Sequence, residues 1–360
     1  MNRNRHLVQT MSAATVAFML STLFAAAIAA PAQTISQLDD PSAGTASGQG
    51  TAAVAINTAG TITGGYVDRN NVGHGFVRSA AGAYTTFNAP GGTKLTAGWS
   101  INTAGVVAGF DVDASTVYHG MVRTTAGVIT VFNAPGAGTN SGQGTAASSI
   151  NTAGVITGYD IDINGVDHGF VRATNGTITA INVPGAGNGN HQGTVAYAIN
   201  TAGVIVGVYR DPQSHYHGFQ RAANGTITKI DYPGSKATAT VCINAAGTIA
   251  GWYVDVNGLQ HGFARTSAGT FSTFDPPSSH QTNAWTINTA GVIAGIYTDT
   301  SGGNHGFVRA ANGTITTYNP PGTGNVGVLV PGGFEMTINT SGHIAGYFLD
   351  SGSVYHGYLR

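Results

Sequence analysis

Charge is what this sequence has least of. Its 360 residues contain 14 Lys and Arg against 15 Asp and Glu, a formal net charge of -1. Such a surface has no basic field to draw nucleic acid or anionic lipid. Cysteine is nearly missing as well. Cys242 is the single one, which excludes an internal disulfide, and its place between Val241 and Ile243 marks a small buried hydrophobe. Glu335 is the only glutamate. No apolar run beyond residue 30 is long enough to span a bilayer, and no stretch has helical periodicity. Disorder is excluded in turn by a hydrophobic content of 42%. Without disulfides or helices, stability must come from strand pairing and packing.

The first 32 residues read as a secretory signal peptide. Arg3 and Arg5 precede an apolar or small stretch from Met11 to Ala30, and two A-x-A sites follow, Ala27-Ile28-Ala29 and Ala30-Pro31-Ala32. Cleavage is expected after Ala32, with Ala29 the alternative. Residues 33–360 then form one monomeric domain, extracellular or, as the alternative, periplasmic.

What is abundant is glycine, 54 residues of it, most at fixed intervals. The intervals belong to a frame repeated seven times: Ile-Asn, two glycines, Asp, His-Gly and Arg. The Ile-Asn pairs begin at Ile56, Ile101, Ile150, Ile199, Ile243, Ile287 and Ile338, spaced by 44 to 51 residues. Eighteen residues after each comes His74, His119, His168, His217, His261, His305 or His356. Repeats of this length announce a repeat architecture. Within the first unit, residues 51–56, 61–67, 74–78 and 83–88 are short β-branched, aromatic or small runs divided by turn residues. All length variation falls in the link from the fourth run to the next unit. The pattern predicts an all-β, seven-bladed β-propeller of four-stranded blades. The last unit stops at Arg360 without a fourth run, whereas residues 34–39 resemble an orphan one. The N-terminal strand is therefore expected to complete the last blade and close the ring.

The frame resembles the HAF-type extracellular repeat of secreted bacterial proteins, over essentially all of residues 33–360. It departs at Met121 and Tyr358, where Phe is expected after His-Gly. The resemblance implies an extracellular repeat protein and no particular reaction.

The repeated polar residues read as framework. Asp68 and His74 bracket the loop between second and third strands, as do Asp211 and His217, and an Asp–His bond there would tie the loop. Seven equal dyads with no accompanying nucleophile do not suit an enzyme. The arginines four residues after each His, such as Arg78 and Arg221, are expected near the Asn-x-x-Gly turns, holding turn carbonyls. One loop, Asp160, Asp162, Asn164, Asp167, has the D-x-D-x-N-G-x-x-D form of a short calcium loop, although Asp-Asn-Gly is also ordinary hairpin chemistry. Residues outside the frame are the ligand candidates. His191 and His280 are placed in links between blades, His215 in a second-to-third-strand loop, and Glu335 near the central channel. Trp99, Tyr197, Trp252 and Trp285, with the Gly-Gln-Gly-type loops at residues 48–50, 142–144 and 191–193, suit shallow sugar pockets or, alternatively, inter-blade core. The reading is a non-catalytic binding or surface scaffold for a neutral glycan. Its rivals are an extracellular lyase or hydrolase centred on Glu335 and a purely structural envelope protein.

Overall fold

The computed structural model describes residues 34–322 and 336–360, and in these the chain is built from strands, 28 of them. Gly50–Ile56, Ile62–Val67, Gly73–Arg78 and Tyr84–Phe87 pair antiparallel in sequence order, with Ile56 opposite Ile62, Tyr66 opposite His74 and Phe76 opposite Thr86. We call this set 1. Sets 2 to 6 repeat it over residues 95–132, 144–181, 193–230, 237–274 and 279–318. The last set comprises Met336–Ile338, Ile344–Leu349 and Tyr355–Leu359, and its fourth strand is Ser36–Leu38 from the other end of the chain. Ser36 lies opposite Leu359 and Leu38 opposite Gly357. The completing strand is thus shorter than the run 34–39 suggests.

Two glycines of the frame have different reasons. Gly60 ends the first turn with φ 79°, a left-handed conformation that side chains avoid. The second-strand glycine answers to a bulge. In sets 1 to 6 the first strand slips register just before its Ile, so that the ladder skips Val54, Trp99, Ser148, Tyr197, Val241 or Trp285. The bulge drives a first-strand carbonyl onto the facing glycine. A Cβ on Gly64 would stand 2.0 Å from the oxygen of Ala52, and one on Gly158 would stand 2.1 Å from that of Ala146. No other residue fits there.

The core lies between and within sets. Phe76, Phe170, Phe219, Phe263 and Phe307, each following a His-Gly, are no more than 1% exposed. Met121 and Tyr358, the two departures from Phe, are equally buried. Each such side chain contributes about 1.5–3 kcal/mol by leaving water. Leu38 joins Phe76, Ile62 and Ala345 in one cluster, tying both chain ends into the same core. Cys242 is buried, as expected, and donates to the Ala250 carbonyl.

At the end of the molecule that carries the first-to-second-strand turns, the frame asparagines join up. Asn57 Nδ2 donates to the carbonyl of Asn102, and Asn102 to that of Asn151. The sequence continues through Asn200, Asn244, Asn288 and Asn339, whose Nδ2 returns to the carbonyl of Asn57. Each Asn Oδ1 meanwhile accepts from its own turn; that of Asn57 accepts from Ala59 and Thr61. The circuit surrounds a cavity of about 230 Å³ lined by the Ile-Asn pairs of every set.

Candidate binding face

The opposite end carries the second-to-third-strand loops and the links between sets, because strands alternate in direction within a set. In every set the loop is an Asx turn. Asp68 Oδ1 accepts from Asn70 and Val72, and the Val72 bond, with that of Asn70, holds the Asp68 carboxyl below the usual carboxylate range despite desolvation. Its Oδ2 lies 3.5 Å from His74 Nε2, and the other six Asp–His pairs span 3.0–3.7 Å. The imidazole has a second partner that sequence reading missed. His74 Nδ1 meets Asn88 at 2.7 Å, and His217 meets Asp231 at 3.1 Å. The signal is available in retrospect: an Asn or Asp stands fourteen residues after each of the first six His. For His356 the partner is Asp39, from the N-terminal strand.

An aromatic ring covers the His in five sets, as Tyr66 covers His74 at 5.0 Å and Tyr209 covers His217 at 4.9 Å. In sets 2 and 3 that ring is replaced by Asp111 and Asp160. Both are buried, 1% and 3% exposed, and Asp111 Oδ1 and Asp160 Oδ2 have no hydrogen-bond partner. Desolvation pushes the Asp111 carboxyl up to about 6 and that of Asp160 up to about 7, against partial relief from His119 and His168 respectively.

The arginines lie at the Asn-x-x-Gly end, but ring faces rather than turn carbonyls are their main contacts. Arg123 sits 5.2 Å over Phe87 and Arg172 4.7 Å over Phe132, each an aromatic of the preceding set's fourth strand. Arg78 stacks on Tyr84 of its own set. Arg221 has only a long 3.5 Å contact to the Ala222 carbonyl, in the third-to-fourth-strand turn.

The residues of the calcium-type loop have different surroundings. Asp162 Oδ1 caps its turn through Asn164 and Val166, as its counterparts do, and Asp162 Oδ2 faces His168. Asp160 is buried, and burial pushes the Asp167 carboxyl up to about 6 against partial relief from Arg210 and His191. No group of three or more His, Cys, Asp or Glu among the described residues is placed to hold a metal.

His191, His215 and His280 lie on this face but in separate places. His215 is in its loop, 61% exposed, with Nδ1 3.4 Å from Asp211. His191 occupies the link before set 4 with φ 58°, a position that is glycine at Gly48 and Gly142. His280 is not in a link. It is an exposed residue of the strand Ser279–Ile287 and is itself the position the ladder skips at a second bulge, between Ser279 and Gln281. Glu335 falls outside the described residues, as does the signal peptide expected over residues 1–32.

The glutamines of the Gly-Gln-Gly-type loops are already engaged. Gln49 accepts from Ala46 and donates to Asn71, and Gln192 accepts from Gly189 and donates to Pro212 and Ser214. They clamp each link to the following loop. Of the four aromatics, Tyr197, Trp252 and Trp285 pack against a shared cluster of Val208, Ala239 and Val241. Trp99 differs. With Phe110, Tyr347 and Tyr355 it walls a cavity of about 280 Å³ beside Val54 and Gly65.

No family model matches the chain, and no curated protein does. Solved structures do resemble it. The BP39L lectin from Burkholderia pseudomallei aligns at 13% identity and TM-score 0.51, over 85% of this chain and 94% of that one. The fold is that of a β-propeller. The propeller domain of the Trilobed protease from Pyrococcus furiosus aligns with TM-score 0.52 at 8% identity, covering 86% and 95%. A fucose-specific lectin from Aleuria aurantia covers 74% and 94% at 12% identity, with TM-score 0.43. In propeller terms each set is a blade, and the Asp–His–Asx bonds fasten each blade's second-to-third-strand loop to its fourth strand.

That role sets an expected result. His217→Ala removes two carboxylate contacts and a stacked ring, yet Asp211 and Asp231 keep solvent access, 18% and 45% exposed. The loss should be about 1–2 kcal/mol. Urea titration measures it, and a larger effect on ligand affinity than on stability would refute the framework role.

Proposed function

We propose that this chain is a secreted, seven-bladed, non-catalytic propeller, a binding or surface scaffold that recognises a neutral glycan. One observation carries the reading: the repeated Asp and His residues are occupied with the same internal bonds in every blade. Groups held identically seven times are framework, which leaves recognition to the residues that differ from one unit to the next. The asparagine circuit, closing after seven members, supports the blade number. The N-terminal segment and the resemblance to HAF-type repeats support secretion. A shared fold with the BP39L lectin is in keeping with a glycan ligand, although a fold alone hosts many functions.

The test is a glycan array probed with the purified protein, in calcium and in chelator. Binding to uncharged glycans, lost when the link from Asn188 to Gln192 is shortened, is the expected outcome. An array without binding, together with turnover of a polymer that ceases in Glu335→Gln, would replace this reading by the enzymatic one.

A further inference from the structure

We infer that the cavity beside set 1 is a single hydrophobic site that takes one uncharged ring, aromatic or alicyclic, at the end of a small molecule. It does not depend on the glycan reading. Three positions that vary from blade to blade create it: the bulge residue of the first strand, the residue after the second-strand glycine, and the residue before the His. Set 2 fills them with Trp99, Phe110 and Tyr118, and the last blade with Met336, Tyr347 and Tyr355. Set 1, which lies between these two in the ring, has Val54, Gly65 and Gly73; Val54 and Gly65 line the cavity, while Leu95 fills the place beside Gly73. The blade with the smallest residues is therefore flanked by large rings, and space is left among them.

The space is genuine at Gly65. A Cβ placed there meets nothing nearer than 3.4 Å, whereas at most second-strand glycines it would collide with backbone. At about 280 Å³ the cavity falls just below the range of roughly 300–1,000 Å³ that holds drug-sized ligands. One ring is the matching occupant. Val54, Ala52, Ala97, Leu95 and Phe110 present only carbon, so a charge or an array of hydroxyls would be desolvated without partners. The aromatic walls favour a flat apolar face. Trp99 and Tyr355 line the same cavity, and neither the indole N–H nor the hydroxyl makes a hydrogen bond among the described residues. They provide donors for one polar substituent on the ring.

Calorimetry and saturation-transfer NMR on the purified protein, with benzyl alcohol as probe and benzoate as its charged counterpart, test the site. Benzyl alcohol should bind once per chain, and benzoate should be weaker by about tenfold or more. Gly65→Phe should abolish the binding while circular dichroism and melting stay as in the wild type, because Phe110 stands at the same position in set 2. Trp99→Val, which installs the residue set 1 has at that position, should weaken binding and is available should Gly65→Phe fold poorly. Absence of saturable binding, several equivalent sites, benzoate binding as tightly as the alcohol, or full affinity in both variants would overturn the inference.

Discussion

At pH 8 the Asp160→Asn protein should gain about 3 kcal/mol over wild type relative to their difference at pH 4. Asp160 sits where five other blades have an aromatic ring, and one of its oxygens is buried without a partner. Burial raises its carboxyl from 3.8 to about 7, with His168 opposing and Asp162 and Asp167 adding to the rise. The folded chain therefore holds this proton between pH 3.8 and about 7, where the unfolded chain has released it. Stability from this group is fully present below pH 3.8, falls as pH rises through that window, and is flat above it. Asn cannot ionise, so the substitution removes the slope. Comparing the two proteins at each pH cancels the opposite contributions of the Asx-turn carboxylates, whose values are lowered. Denaturant titrations at pH 4, 6 and 8 measure the difference, and a gap independent of pH would contradict the account. Asp111, raised to about 6, should behave alike over a narrower window.

A chain beginning at Ser42 should lose cooperative folding or aggregate when compared with one beginning at Gln33. The missing segment includes the fourth strand of the last blade, paired to Tyr355–Leu359 through Ser36, Gln37 and Leu38. Leu38 is 6% exposed in the cluster with Phe76 and Ala345, and Asp39 is the second partner of His356. Removal opens a sheet edge, uncovers Tyr358 and its neighbours, and leaves an unpaired strand ready to pair with another chain. Several kcal/mol are at stake from the buried side chains alone. Light scattering and thermal melting report the result, and a shortened chain of unchanged melting temperature would mean that the last blade stands without its N-terminal strand.

The strands and the shared blade were legible because turn residues and the His-aromatic run recur at fixed offsets. Their limits differ from expectation by a residue or two, as with Ser36–Leu38. What sequence could not supply was the direction of side chains. The frame asparagine reads as a turn residue, and Oδ1 does serve the turn, but Nδ2 reaches another blade across 44 to 51 residues. The fourth-strand Asx was in plain view without being linked to the His, since a spacing of fourteen residues signals contact only once the hairpin is known. The arginines stand at the expected end and two of them reach a turn carbonyl, but the rings most of them stack on, as Arg172 does on Phe132 of the preceding set, cannot be read from a single repeat. The ligand candidates fared differently. Each stood out by occurring once, yet His191, His215 and His280 are dispersed. The cavity beside set 1 owes its space to small residues, Val54 and Gly65, that attract no notice in a list of chemical groups.

The asparagine amides also work as a counting device. Every one is handed on in the same rotational sense, so the series has no first or last member and no vacant acceptor where a further unit could dock. A duplicated or lost repeat would alter the angle each amide must span at all junctions together. Links can lengthen or shorten freely, and they do, but the number of units can change only by remaking the whole ring.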